Sequence, residues 1–191
     1  MKKSVLDAAL PSPKWQPKYP FDVVIAYEDD LTRHRAMHLH DHLARQLSDD
    51  FDFQCAWWKF GHIADPTLRE QAVDDATAAN MIVLSLHDEN ELNPAAQMWM
   101  EDWTCRREHH KCALVTLFPD SEMRRAPVFA RLKQIARQAR MDFFTNISEA
   151  AGNFAELNVS QFVQQSAGRH TPSEAPLTAA SLMPRWGINE S

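Results

Sequence analysis

Apolar positions along the chain change repeatedly between a pattern typical of strands and one typical of helices. Residues 21–27, FDVVIAY, form a nearly continuous apolar run, which suits a strand buried on both faces of a parallel sheet. The next segment, about residues 31–47, carries Leu39, Leu43 and Leu47 at helical spacing. The pattern therefore begins with a strand followed by a helix.

The same alternation continues to about residue 165. The further predicted strands cover residues 51–58, 81–86, 112–118 and 141–145, and the further predicted helices cover 65–79, 93–107, 128–140 and 148–165. Asp65-Pro66 and Asn93-Pro94 each place a capping side chain before a proline, as at a helix start. Strands that alternate with helices predict a parallel sheet. We therefore expect a three-layer α/β fold, with a five-stranded sheet in the flavodoxin-like order 2-1-3-4-5 and helices on both faces.

The two ends of the chain differ from this pattern. Residues 1–20 hold four prolines and predict an extended arm, and residues 21–167 are predicted to form the domain. Residues 168–191 predict a flexible tail that ends in a segment containing RWGINE. Arg185 and Trp186 are residue types enriched at binding hot spots. We expect them to bind another protein or to dock on the chain's own domain.

Charge and composition exclude several classes of function. The formal net charge of −6 argues against nucleic acid as the main partner. No apolar run approaches the length of a membrane span. Cys55, Cys105 and Cys112 form no CxxC motif and predict reduced thiols in a cytoplasmic protein.

Glycine is scarce, with four in the whole chain. No GxGxxG, GxxxxGK[ST] or GxSxG motif can be written with them. Loops that cradle phosphates depend on glycine, because the backbone must approach the ligand closely. The sequence therefore disfavours a standard dinucleotide fold, a P-loop enzyme and a common serine hydrolase.

Acidic residues follow the first predicted strand directly, as Glu28, Asp29 and Asp30. In open α/β sheets, ligands bind outside the carboxyl ends of the strands. Clustered carboxylates are ligands for a divalent cation such as Mg²⁺. Acids at this place also favour the start of the following helix. The cluster therefore predicts either a metal site or a polar helix start.

A second polar group follows the third predicted strand at the same edge of the sheet. It consists of Ser85, His87 and Asp88. Neighbours on one loop seldom adopt the geometry of a catalytic triad. We expect these residues either to contact a bound ligand or to be ordinary polar residues of a loop.

The FDVVIAY strand with its acids resembles the first box of Toll/interleukin-1 receptor (TIR) domains, and MIVLSLHDEN resembles their third strand. The resemblance covers about residues 21–145 and implies a flavodoxin-like signalling module. Some TIR domains cleave NAD with a glutamate on the third helix, which implies Glu101 as the catalytic candidate. The pattern departs from the family in three places. Ala26 replaces the usual Ser, and the loop WKFGHIADP lacks the usual Pro-Gly turn. Trp103 stands four residues after Trp99, where the glutamate is expected.

The acids after the first strand also resemble those of phospho-acceptor receiver domains, which hold Mg²⁺ there. Ser85 and Asn146 stand about where a receiver has its aspartate and its lysine. This resemblance therefore implies a degenerate receiver. A looser resemblance to small uncharacterised bacterial proteins implies no function.

These patterns lead us to expect a non-catalytic bacterial signalling or adaptor module that acts through an unidentified protein partner. The alternatives are a TIR-type hydrolase that cleaves NAD with Glu101, and a metal-binding degenerate receiver. These three hypotheses leave open whether the protein is an enzyme. The expected ion is Mg²⁺, and the expected substrate is NAD.

Overall fold

The strands form one parallel sheet in the predicted order. The computed structural model describes residues 18–87, 92–107, 111–119, 127–145, 161–163 and 165. The strands are β1 (Tyr19–Tyr27), β2 (Phe51–Lys59), β3 (Met81–Ser85), β4 (Ala113–Leu117) and β5 (Asp142–Thr145). Their order across the sheet is β2-β1-β3-β4-β5, with every neighbouring pair parallel. The predicted sheet is confirmed.

Helices cover both faces of this sheet. They are α1 (Asp30–Leu47), α2 (Phe60–Ile63), α3 (Pro66–Ala78), α4 (Pro94–Arg106) and α5 (Pro127–Gln138). The apolar side of α1 packs on one face, together with Phe162 and Val163 from a helical segment. Helices α2 to α5 pack on the other face. The three predicted layers are therefore present.

Capping side chains fix where α3 and α4 begin. The Asp65 carboxylate accepts the backbone N–H groups of Thr67 and Leu68, and the Asn93 side chain accepts that of Ala95. Each bond satisfies a backbone donor that has no partner within its own helix. These two helix starts are those that the sequence predicts.

The short helix α2 was not predicted. It follows β2 directly, has no capping side-chain bond and is one turn long. A single turn is too short to show helical periodicity. Its Phe60 and Ile63 are nevertheless buried against the sheet, so α2 closes one end of the core.

Strand β1 lies inside the sheet and is buried on both sides. Val24 and Ala26 face the layer that contains α3 and α4, and Val23 and Ile25 face α1. All four side chains are at most 4% exposed. This two-sided burial explains the continuous apolar run in the sequence.

Within the described residues, no helix combines the length and apolarity needed to cross a membrane.

Candidate functional site at the β1/β3 switch point

The order of the strands creates a crevice between the ends of β1 and β3. After β1 the chain crosses to β2 on one side, and it then returns to β3 on the other side. Neighbouring connections therefore leave β1 and β3 in opposite directions, and ligands of open α/β sheets bind at such a point. Glu28 follows β1 there, and His87 follows β3.

Asp29 caps helix α1 at this point. Its Oδ1 accepts the backbone N–H of Thr32 at 3.0 Å. The Thr32 hydroxyl oxygen in turn accepts the backbone N–H groups of Glu28 and Asp29, at 3.0 and 2.9 Å. Together these bonds form a capping box, with Asp and Thr three residues apart. The spacing of Asp29 and Thr32 is visible in the sequence, but the prediction for the acidic cluster did not include Thr32.

His87 joins the two strand ends. Its backbone N–H donates to Glu28 Oε2 at 2.6 Å, across 59 residues of sequence. Its imidazole Nε2 lies 2.6 Å from Asp29 Oδ2. We call Glu28, Asp29 and His87 the switch-point bridge, because they connect the ends of β1 and β3.

Hydrogen bonds keep the Asp29 carboxyl ionised. The bond from the Thr32 backbone, followed by the bond from His87, holds the pKa of Asp29 well below its usual range. Asp29 is therefore a carboxylate at neutral pH, and it accepts from both of its neighbours.

A cleft lies beside the bridge. Its volume is about 510 Å³, within the roughly 300–1,000 Å³ that small-molecule sites occupy. The residues that line it are Glu28, Asp29, Lys59, Phe60, Gly61, His87, Leu92, Asn93 and Pro94. It therefore combines an apolar part with the carboxylates and the imidazole of the bridge. We call it the switch-point cleft.

The structure brings together three of the predicted edge residues, Glu28, Asp29 and His87. Ser85 ends β3 at the same edge, but its side chain is fully buried and does not line the cleft. Asp30 is exposed as the first residue of α1, and it too lies outside the lining. Sequence reasoning missed the second wall, which α2 and residues 92–94 supply.

Three predicted site residues lie outside the described residues. They are Asp88, Arg185 and Trp186. Their expected roles at the ligand edge and in partner binding stay predictions.

Glu101 does not join the switch-point bridge. It is exposed on α4, where its carboxylate accepts from Gln97 Nε2 at 3.0 Å and from Arg131 Nη2 at 3.4 Å. These residues line a groove of about 220 Å³ between α4 and α5. Trp99 and Trp103 on the same helix are fully buried, so the apolar stripe of α4 turns Glu101 away from the core.

The acidic cluster does not form the expected metal site. Within the described ranges, no three His, Cys, Asp or Glu side chains form a group that could hold a metal ion. Asp29 already uses one oxygen for Thr32 and the other for His87, and Glu28 accepts the N–H of His87. These bonds compete directly with a cation for the carboxylate oxygens.

The half-buried thiol of Cys55 and the buried thiol of Cys112 do not provide a nucleophile. Burial raises the pKa of Cys55 and that of Cys112 to about 12. Both therefore stay protonated at neutral pH, whereas the thiolate is the reactive form.

Comparison with known proteins supports the fold. No family model matches the chain, and no curated protein matches it. An oxidoreductase from Corynebacterium diphtheriae superposes with a TM-score of 0.53 and 11% identity, over 79% of this chain and 93% of that one. A flavodoxin from Streptococcus pneumoniae TIGR4 gives a TM-score of 0.50 and 13% identity, over 78% and 98% of the two chains.

A third similar structure is the rubredoxin:oxygen oxidoreductase of Desulfovibrio gigas. It gives a TM-score of 0.50 and 14% identity, and the match covers 79% of this chain and 36% of that larger one. At such identities the likeness shows a flavodoxin-like fold, and nothing specific to TIR or receiver domains accompanies it.

These neighbours correct the expected function. They are a flavodoxin and oxidoreductases rather than signalling modules. The expectation of a non-catalytic signalling or adaptor module is wrong, and so are its alternatives, the NAD-cleaving hydrolase and the metal-binding receiver. The expected Mg²⁺ and NAD are overturned with them. The short strand motifs behind the TIR resemblance reflect burial in a parallel sheet, which unrelated proteins of this fold share.

Proposed function

We propose that this protein binds a small organic molecule in the switch-point cleft, and that this molecule offers hydrogen-bond donors and carries no phosphate. The observation that carries the proposal is the bridge of Glu28, Asp29 and His87. It places two carboxylates, whose oxygens can each accept a second hydrogen bond, where open α/β sheets bind their ligands. A donor or a positive charge on the ligand complements them.

The backbone donors at the switch point support the exclusion of phosphate. FMN is the cofactor that the flavodoxin-like fold implies at this place, and a phosphate there needs free N–H groups at a helix N-terminus. The N–H of Thr32 already donates to Asp29, and that of His87 donates to Glu28. The Thr32 hydroxyl takes two further N–H groups. Four backbone N–H groups are thus engaged and two carboxylates line the cleft, so the residues present disfavour the phosphate of FMN.

The ring system of a flavin is the first ligand class to test. A flavodoxin is among the similar structures, and the cleft offers Leu92 and Pro94 as accessible apolar surface. Riboflavin has the same ring without the phosphate, and its imide N–H is a donor that a carboxylate can accept. A flavin held there would supply redox chemistry.

The experiment compares riboflavin with FMN by fluorescence titration of the purified protein. We expect riboflavin to bind at least about tenfold more tightly than FMN, a difference of about 1.4 kcal/mol. Glu28→Gln should weaken riboflavin binding, because it removes a charged acceptor. Glu101→Gln, in the groove between α4 and α5, is the matched control and should bind as the wild type does.

Two results would count against the proposal. Tighter binding of FMN would contradict the exclusion of phosphate. Absence of riboflavin binding at about 1 mM, a free energy near −4 kcal/mol, would reject the flavin ring as the ligand.

We also propose a cytoplasmic location. Cys55, Cys105 and Cys112 are all free thiols, which supports a reducing compartment.

A further inference from the structure

We infer that His87 is a base presented to the switch-point cleft, with Asp29 holding the imidazole in the tautomer that is protonated at Nε2. Nδ1 is then the atom that accepts a proton from a bound molecule. The identity of that molecule rests on the proposed function, whereas the state of the imidazole can be tested without any ligand.

The Asp29 carboxylate is itself held in place. Thr32 donates its backbone N–H to Oδ1, which leaves Oδ2 facing the imidazole at 2.6 Å from Nε2. An ionised carboxylate only accepts hydrogen bonds, so Nε2 must carry the proton. When the ring is neutral, the lone pair therefore lies on Nδ1.

His87 is fixed at its main chain as well as at its ring. Its backbone N–H donates to Glu28, so the residue is tied to both acids that follow β1. Restraint at two points preorganises the imidazole and lowers the entropic cost of placing it against a ligand. A loop histidine held at one point would lack this advantage.

Asp29 takes Nε2, so Nδ1 is the ring nitrogen that is left for a ligand. His87 lines the cleft, and 32% of its side chain is exposed. In the part of the chain that the structure describes, no group is hydrogen-bonded to Nδ1. A carboxylate that orients an imidazole in this way is a recurring arrangement for general-base catalysis.

The reaction step that this geometry supports is a proton transfer. The ligand's N–H, O–H or activated C–H bond breaks, and its electron pair stays on the ligand. A new N–H bond forms at Nδ1, and Asp29 stabilises the imidazolium that results. The step balances without an oxidant, a reductant or another reactant. Positioned bases of this kind contribute about 10²–10⁴-fold to a rate.

The first experiment determines the tautomer by long-range ¹H–¹⁵N NMR of uniformly labelled protein. The His87 signals are assigned by their loss in His87→Gln. We expect neutral His87 to be protonated at Nε2 in the wild type. Asp29→Asn should shift it towards the Nδ1-protonated form, because an amide can donate to Nε2. Asn is as good a helix cap as Asp, so this variant keeps α1.

The second experiment measures acylation by diethyl pyrocarbonate, mapped by mass spectrometry. Nδ1 attacks a carbonyl carbon, an N–C bond forms and the anhydride C–O bond breaks. Ethyl carbonate leaves and decays to ethanol and carbon dioxide, while the Nε2 proton passes to Asp29 or to water. We expect His87 to react at least as fast as the exposed His38. Asp29→Asn should slow His87 several-fold and leave His38 unchanged.

The outcomes separate this inference from the proposed ligand. A wild-type His87 protonated at Nδ1, or acylation much slower than that of His38, would overturn the inference. If His87 reacts as expected and riboflavin protects it, both proposals gain support. If His87 reacts as expected and riboflavin has no effect, the result supports His87 as a base and rejects the flavin as the ligand.

Discussion

Asp29 holds two elements with its two oxygens. Oδ1 caps α1 through Thr32, and Oδ2 holds the imidazole of His87 at the end of β3. A single side chain thus sets both the start of a helix and the orientation of a neighbouring strand end. The hydrogen bonds from Thr32 and His87 favour the charged form of Asp29, and they therefore lower its pKa.

We expect Asp29→Ala to destabilise the protein by about 1 kcal/mol at neutral pH, the usual cost of losing a helix cap. Asp29→Asn should cost less, since an amide can still cap. Urea unfolding followed by circular dichroism measures both values. Equal losses in the two variants would show that the cap does not account for the effect of Asp29.

The same carboxylate predicts a dependence of stability on pH. Because the folded-state pKa of Asp29 is depressed, its charge contributes stability above the unfolded-state pKa of about 3.9. That contribution is lost as the pH falls through the folded-state value. The difference in unfolding free energy between wild type and Asp29→Asn should therefore shrink as the pH falls below about 4. A constant difference over that pH range would contradict the lowered pKa.

Strand β1 sets the register of the sheet around the site. Ile25 lies between Trp57 of β2 and Val83 of β3. It is 1% exposed. The strand thus combines hydrogen bonding on both edges with burial on both faces, and the acids of the bridge follow directly at its end.

We expect Ile25→Asp to unfold the protein, because a buried, unpaired charge costs a large part of the roughly 5–15 kcal/mol that stabilises a typical domain. Leu31→Asp is the matched control. Leu31 is 63% exposed in the first turn of α1, where an acid is favourable. Thermal unfolding of both variants makes the comparison. A cooperative, native-like transition in Ile25→Asp would show that β1 is not an interior strand.

The described residues supply an apolar layer on each face of the sheet. Nearly all of the buried apolar side chains that the structure describes lie between residues 21 and 141, and Phe162 and Val163 complete the layer beside α1. The division into an arm, a domain and a tail stays a prediction.

We expect deletion of residues 184–191 to leave the thermal unfolding midpoint nearly unchanged, because the composition of residues 168–191 predicts a flexible tail. For a chain of this size, a loss of 1 kcal/mol lowers the midpoint by about 2–4 °C, which differential scanning calorimetry resolves. A fall of several degrees would show that the segment packs on its own domain.

Local patterns in the sequence determine much of the fold. A strand buried on two faces requires a continuous apolar run, as in β1, and a helix buried on one face requires the leucine spacing of α1. Each element can therefore be predicted from its own residues. The caps at Asp65 and Asn93 are equally local, since donor and acceptor are two or three residues apart. The alternation of strands and helices indicates a parallel sheet, and five strands fit the flavodoxin-like order.

The partnerships at the site were decided by the tertiary structure. Glu28 and His87 meet across 59 residues, and α2 joins residues 92–94 to complete the cleft. No periodicity encodes such contacts, because they depend on which strands become neighbours and on how each strand end turns. For the same reason the sequence could name Glu28, Asp29 and His87 as edge residues, but it could not show that Asp29 is divided between a helix cap and an imidazole.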